Sequence, residues 1–165
     1  MSERIVIDLT DNIANVGKTL PFTGEFVLDN DLLAYPSAVL EKVKVNFDVT
    51  FLNPNVSVSG NIICYVKGNC DRCLTNLDKV VELRFEQMFY KDISANDDGY
   101  IYSTSMLDAT KAVSDEIILS MPSLFLCQDD CKGLCPKCGT NLNEKQCDCD
   151  TTRDNPFSVL KNLKF

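Results

Sequence analysis

Histidine is absent from this chain of 165 residues. That removes the side chain whose unperturbed pKa lies nearest neutrality and the most frequent general acid or base. It also removes the ligand that usually accompanies an open coordination position on catalytic zinc. No apolar run reaches the roughly 18 residues that a membrane-spanning helix needs, so no membrane span is expected. The opening MSERIVIDLT has no basic n-region, no long apolar stretch and no small-residue cleavage site. No secretory signal is therefore expected, and the chain reads as cytoplasmic. Positive charge is scarce: 16 Lys and Arg stand against 24 Asp and Glu, a formal charge of −8. Backbone affinity for nucleic acid comes mainly from cations that displace counterions, so direct nonspecific binding is disfavoured. Neither an internal repeat nor a low-complexity tract is visible.

What is present suits one conventional core, since 45% of the residues are hydrophobic and the length allows a single main domain with a small appended module. Residues 4–9 (RIVIDL) and 22–28 (FTGEFVL) read as short strands separated by the turn-prone DNIANVGKTLP. The stretch DNDLLAYPSAVLE reads as a loop or short helical turn, Pro36 arguing against a long helix. From Glu41 onward Val43, Val45, Phe47, Val49 and Phe51 alternate with polar residues, the period of a half-buried strand. Asn53-Pro54-Asn55 turns the chain into a second strand carrying Val56, Val58, Ile62, Cys64 and Val66 at one parity. A third runs from Leu77 to Tyr90 with Leu77, Val81, Leu83, Phe85 and Phe89 inward. Three such strands make an antiparallel meander, extended by the N-terminal pair.

Ser94 to Tyr100 has loop composition. A helix is expected over about 108–120, capped by Asp108, with Ala109, Ala112, Val113, Ile117 and Ser120 on one face and Pro122 beyond its end. Asn155 and Pro156 begin a second, terminal helix with the stripe Phe157, Leu160 and Leu163. The fold class is thus α+β: an antiparallel sheet, open or barrel-like, with one or two packed helices and a cysteine-rich, zinc-ribbon-like tail. Residues 1–122 form the β-rich domain and 123–165 the tail.

Of nine cysteines, six lie between Leu126 and Asp150. In a chain read as cytoplasmic, such clustering points to metal ligands or redox thiols rather than a disulfide framework. Cys135-Pro-Lys-Cys138-Gly139 has the form of a metal knuckle: two sulfurs face one ion, N–H groups just past the first cysteine point at its sulfur, and glycine accepts the left-handed turn. Cys147 and Cys149 are at i and i+2, so an extended chain turns both the same way. A separate pair, Cys70 and Cys73, sits in the connection between two strands, and Cys127 and Cys131 follow the expected helix. Four pairs divide into two quartets in three ways, and spacing alone does not choose. The division adopted is Cys70, Cys73, Cys127 and Cys131 in one site and Cys135, Cys138, Cys147 and Cys149 in the other.

One or two structural zinc ions are the expected cofactor; iron–sulfur remains chemically open to an all-thiolate set. Thiolates bound to zinc would add about −2 of charge per site. The alternatives are reduced, metal-free thiols at Cys70 and Cys73, or a redox-active CPKC with a lowered pKa. No βαβ pattern surrounds the latter. Cys64 shares the parity of core residues and reads as a buried thiol. Asp97-Asp98-Gly99 lacks the rest of a calcium loop. Asp115 and Glu116 read as a polar helix face, and Lys161 and Lys164 as favourable charges at a helix end. A closed ligand set without histidine argues against an enzyme.

The chain resembles the YceD-like proteins, described as large-subunit ribosomal RNA accumulation proteins of bacteria and plastids. The residues that carry the resemblance are Cys70-Asp-Arg-Cys73-Leu74, the run DEIILSMP from Asp115 to Pro122, the tail CKGLCPKCGTNLNEKQCDCD, and the closing Asn155-Pro156-Phe157-Ser158-Val159-Leu160. The resemblance implies a cytoplasmic, non-enzymatic factor needed for 23S ribosomal RNA accumulation and large-subunit biogenesis. Some family members keep the first cysteine pair but lack most tail cysteines, which implies that DEIILSMP and NPFSVLKNLK are the shared interaction surfaces. With its acidic charge the chain is expected to reach ribosomal RNA indirectly, through a basic ribosomal or assembly protein, and to take no small-molecule substrate. The densest basic group, Lys132, Lys137 and Lys145, is a weak patch. The alternative function is thiol redox or metal handling by the CxxC pairs.

Overall fold

A computed structural model of the chain describes residues 3–10, 15–28, 37–91, 99–103 and 105–149. The expected terminal helix, Lys161, Lys164, Asp97, Asp98 and Pro36 lie outside these residues. Seven strands and one helix follow one another among them: β1 (Val6–Asp8), β2 (Thr19–Phe26), β3 (Ala38–Phe51), β4 (Val56–Asn69), β5 (Asn76–Tyr90), β6 (Tyr100–Ile101), β7 (Met106–Asp108) and α1 (Thr110–Ser120). The main sheet has the order β2-β3-β4-β5-β6 and is open, not closed into a barrel.

The three long strands pair in consecutive antiparallel hairpins because their apolar residues share a parity and their connections are short. Val43, Val45, Phe47, Val49 and Phe51 on β3, Val56, Val58, Ile62, Cys64 and Val66 on β4, and Leu77, Leu83, Phe85 and Phe89 on β5 all point into one core. Val81, expected inward with them, is only partly buried. The Phe47 and Phe85 rings stack across the sheet with centroids 4.7 Å apart. Residues of α1, Ala112, Val113 and Ile117, cover that face together with Ile5, Ile7, Leu9 and Leu107.

The sheet differs from the sequence expectation in several places. The first strand of the N-terminal pair does not extend the meander: β1 pairs with β7, the short strand that leads into α1, whereas β2 does extend it beside β3. β2 begins at Thr19 and contains Pro21, which an edge strand tolerates because one side of its backbone needs no ladder partner. β3 begins at Ala38 rather than after Glu41, since a register shift between Leu40 and Lys42 moves the buried residues from even to odd positions and breaks the apparent alternation. Tyr100 belongs to β6, not to the loop.

The helix starts two residues later than expected. Its N-cap is Ala109, which supplies no side-chain cap, while Asp108 ends β7 and its carboxylate accepts the Thr110 N–H at 2.9 Å. Ser120 is exposed; Ser114 takes a place on the buried face, its hydroxyl donating to the Thr110 carbonyl at 2.8 Å. Among the described residues no helix is long and apolar enough to cross a membrane.

Candidate metal centres

Eight of the nine cysteines lie at one end of the sheet or in the segment that follows α1. Cys70 and Cys73 occupy the turn of the β4–β5 hairpin, between the paired Asn69 and Asn76. The chain leaving α1 returns to this turn because Asp71 holds it from both sides: its N–H donates to the Phe125 carbonyl at 2.9 Å, and its carboxylate accepts the Phe125 N–H at 2.6 Å. Cys127 and Cys131 are thereby delivered to Cys70 and Cys73.

The structure brings together Cys70, Cys73, Cys127 and Cys131 as one quartet and Cys135, Cys138, Cys147 and Cys149 as another, each with all sulfurs within 4.8 Å of one another. In the first, Cys70 Sγ and Cys131 Sγ are 3.8 Å apart and Cys73 Sγ and Cys127 Sγ 3.5 Å. A disulfide is far shorter, about 2.05 Å, whereas a tetrahedral ion with metal–sulfur bonds of about 2.3 Å has edges of about 3.8 Å. The donor set and its spacing therefore fit a thiophilic ion. Zinc bound there would supply crosslinking charge and no open coordination position for chemistry.

The two knuckles repeat one backbone design. Cys70 N–H donates to the Thr75 carbonyl at 2.8 Å and Leu74 N–H to the Cys70 carbonyl at 2.9 Å; Cys135 N–H donates to the Thr140 carbonyl at 2.8 Å and Gly139 N–H to the Cys135 carbonyl at 2.9 Å. The residue after the second cysteine is left-handed in both, Leu74 with φ 59° and Gly139 with φ 72°. A threonine hydroxyl then lies 3.2 Å from the second sulfur of each pair, Thr75 beside Cys73 and Thr140 beside Cys138. These threonines were not singled out from the sequence, although the shared pattern C-x2-C-x-T contains them.

The hydrogen bonds divide each quartet electrostatically. Burial opposes ionisation of Cys70, but N–H groups of Cys73, Arg72 and Cys127 outweigh it and hold the thiol down at about 6. Cys138 is also drawn to about 6, chiefly by the side chain and N–H of Thr140. Thr75 lowers Cys73 in the same way, and the N–H groups of Cys138 and Lys137 lower Cys135. Cys127 and Cys149 act as thiol partners to these thiolates: Cys127 is pushed to about 12 chiefly by Cys73, and Cys149 to about 12 chiefly by Cys138. The first pair of each quartet is thus predisposed to the anionic form that metal ligation requires.

Burial separates the quartets. Cys70, Cys73 and Cys131 are buried, with Leu126 and Leu134 packed against them. Of the second quartet only Cys135 is buried. Cys64 joins neither: it lies in the main core at 0% exposure, and burial pushes its thiol to about 12.

The remaining candidates belong to neither quartet. Asp115 accepts the Tyr100 hydroxyl at 2.9 Å and lies 3.9 Å from Lys111, while Glu116 is on the outer part of α1. Lys132, Lys137 and Lys145 are exposed but interspersed with exposed Asp129, Asp130, Glu144 and Asp148.

Comparison with known proteins identifies the family. A plastid relative from Arabidopsis thaliana, the large ribosomal RNA subunit accumulation protein YCED homolog 1, is 37% identical over 59 residues, covering 35% of this chain and 18% of that protein. Uncharacterized proteins of Mycobacterium leprae and Mycobacterium bovis are each 27% identical, covering 61% and 68% of this chain and 49% and 56% of their own lengths. The chain thus spans roughly half or less of the curated relatives it matches. No solved structure matches it. The sequence profile of the large ribosomal RNA subunit accumulation protein YceD matches residues 58–164, more than half of the chain and both quartets with it, and the protein belongs to that family.

Proposed function

We propose that the protein is a non-enzymatic, cytoplasmic factor in the accumulation of large-subunit ribosomal RNA, with a cysteine-rich segment held by two structural zinc ions. Cys70, Cys73, Cys127 and Cys131 ligate one ion and Cys135, Cys138, Cys147 and Cys149 the other. The observation that carries this proposal is the closed donor set: eight sulfurs in two quartets, each with sulfurs within 4.8 Å of one another, leave no ligand position for a substrate or water. The biological role rests on the family description. In domain terms, residues 1–122 are the β-rich body and 123–165 an appended module anchored on the β4–β5 turn.

Contact with RNA is indirect, through a basic ribosomal or assembly protein. The formal charge of −8 supports this, and basic residues of the sheet's outer face are locally neutralised. Lys42 and Lys44 pair with Glu25 at 2.9 and 3.2 Å, and Lys67 with Glu41 at 2.7 Å. Depletion of the protein lowers 23S relative to 16S ribosomal RNA; an unchanged ratio contradicts the role. Elemental analysis of the purified protein finds two zinc ions per chain, and because Cys64 is buried, the folded protein has no fast-reacting thiol.

A thiol redox function is the second reading, favoured by one observation: Cys138 is exposed and its thiol is held at about 6. It requires that the protein reduce a small disulfide and that Cys138→Ser abolish the reaction.

A further inference from the structure

The two quartets are joined by a side chain that ligates neither. Asn143 lies in the loop that the second quartet closes, between Cys138 and Cys147, yet its side chain reaches the first. Its Nδ2 donates to Cys131 Sγ at 3.3 Å and to Asn141 Oδ1 at 2.9 Å. Its Oδ1 accepts the Lys132 N–H at 2.8 Å and Gln128 Nε2 at 3.2 Å. Acceptors surround one end of the amide and donors the other, which fixes its orientation. All of these partners but Asn141 belong to the 127–132 segment that carries two ligands of the first quartet.

The loop that presents Asn143 is itself built to hold still. Asn141 accepts the Asn143 N–H on its side chain at 3.1 Å, donates from Nδ2 to Glu144 at 2.8 Å, and accepts the Lys145 N–H on its carbonyl at 3.1 Å. Leu142 N–H donates to the Gly133 carbonyl at 2.9 Å, and Leu134 N–H to the Arg72 carbonyl at 3.2 Å. Gly133 is left-handed, φ 73°, and a Cβ there would stand 3.1 Å from the Arg72 carbonyl oxygen, so the close approach of this segment to the first knuckle favours glycine.

We infer that Asn143 is a positioning residue through which the second quartet, once metal-bound, tightens the hold of the first quartet on its own ion. This deepens the structural-zinc proposal above and rests on it. Closure of the 139–146 loop by Cys147 and Cys149 fixes the Asn143 amide against Cys131, where an N–H donated to a thiolate stabilises the charged ligand. Outer hydrogen bonds of this kind typically alter metal affinity about 10–100-fold. Coupling of binding free energies is reciprocal, so loading of the first quartet strengthens the second by the same factor.

The test uses the full chain loaded with Co2+, whose thiolate charge-transfer absorption reports each quartet, and competition with a chelator to obtain affinities. Asn143→Ala and Cys147→Ser/Cys149→Ser each weaken Co2+ at the first quartet about tenfold or more. In the Cys147→Ser/Cys149→Ser background Asn143→Ala adds little, because the contact is already lost. Asn143→Asp keeps the shape and the acceptor for the Lys132 N–H but loses the donor. It weakens binding as well, and Asn143→Ala moves the first quartet's charge-transfer band to longer wavelength, which a merely structural role does not do. First-quartet affinity and absorption unchanged in Asn143→Ala and Asn143→Asp overturn the coupling while leaving the zinc proposal intact. A wild-type protein that takes up no Co2+ with thiolate absorption overturns both.

Discussion

The sheet body and the cysteine-rich segment are held by different physics. The body buries a continuous apolar cluster from Ile5 to Phe125, including Phe47, Phe51, Phe85 and Phe89. Beyond Phe125, the described residues of the segment after α1 add only Leu126 and Leu134 as apolar packing around the buried Cys70, Cys73 and Cys131, and their backbone is tied by scattered turns rather than by a ladder. Burying apolar area contributes about 25 cal/mol per Å2, so the body has its own source of stability. The segment has too little area for that, and under the proposed metal ligation its sulfur quartets would take the place of a core, as in small metal-dependent domains. In the proposed division the two units meet at the β4–β5 turn, where Asp71 bonds Phe125 and Arg72 bonds Cys131 and Leu134.

Substitutions should separate the two units. The largest effect is expected for Cys70→Ser, since Cys70 is a fully buried member of the first quartet: metal content falls from two ions to one or none, and the 125–135 segment leaves the hairpin while β3 and β4 remain paired. Elemental analysis with amide exchange checks this. Phe85→Ala acts on the other unit. Its ring is fully buried and stacked on Phe47, so truncation costs about 3–5 kcal/mol of unfolding free energy with metal content unchanged at temperatures where the body is folded. If Phe85→Ala released both ions from folded protein, the two-unit description would fail.

Smaller changes sharpen the contrast. Thr140→Val removes the hydroxyl beside Cys138 Sγ and weakens metal at the second quartet by about tenfold, without moving the thermal midpoint of the sheet. Tyr100 reports on the body alone. Burial, aided by its hydrogen bond to Asp115, raises its phenol from the ordinary 10.0 to about 12. The folded state therefore prefers the protonated form, so the contribution is complete below pH 10 and is lost as pH rises through about 12. A phenolate absorbance titration of Tyr100→Phe against wild type isolates this high midpoint; a Tyr100 that titrates at the ordinary value contradicts the β6–α1 contact.

Much of the body was legible because alternation is a direct consequence of strand geometry. All five apolar residues read on β3 and all five on β4 are buried. The pattern failed where geometry breaks alternation: the shift at Leu40 and Lys42 hid the start of β3, and β7 is three residues long, too short to show a period. Spacing gave the cysteine pairs but allowed three divisions into quartets, since the choice depends on where the chain lies after α1. That path is set by Asp71 and Phe125. Thr75, Thr140 and Asn143 escaped notice because polar residues in loops carry no periodicity. The repeated C-x2-C-x-T could have revealed the threonines, whereas nothing local marks Asn143.

The central claim is that sulfur-bound metal, not apolar burial, orders the segment after α1. Amide hydrogen exchange before and after metal removal by a strong chelator tests it most directly. The account predicts that protection at Leu134, Cys135, Gly139, Leu142 and Lys145, whose N–H groups are bonded in the turns of this segment, collapses on chelation, while the β3–β4 and β4–β5 ladders stay protected. Protection of those five amides that is unchanged after the metal is gone would contradict it.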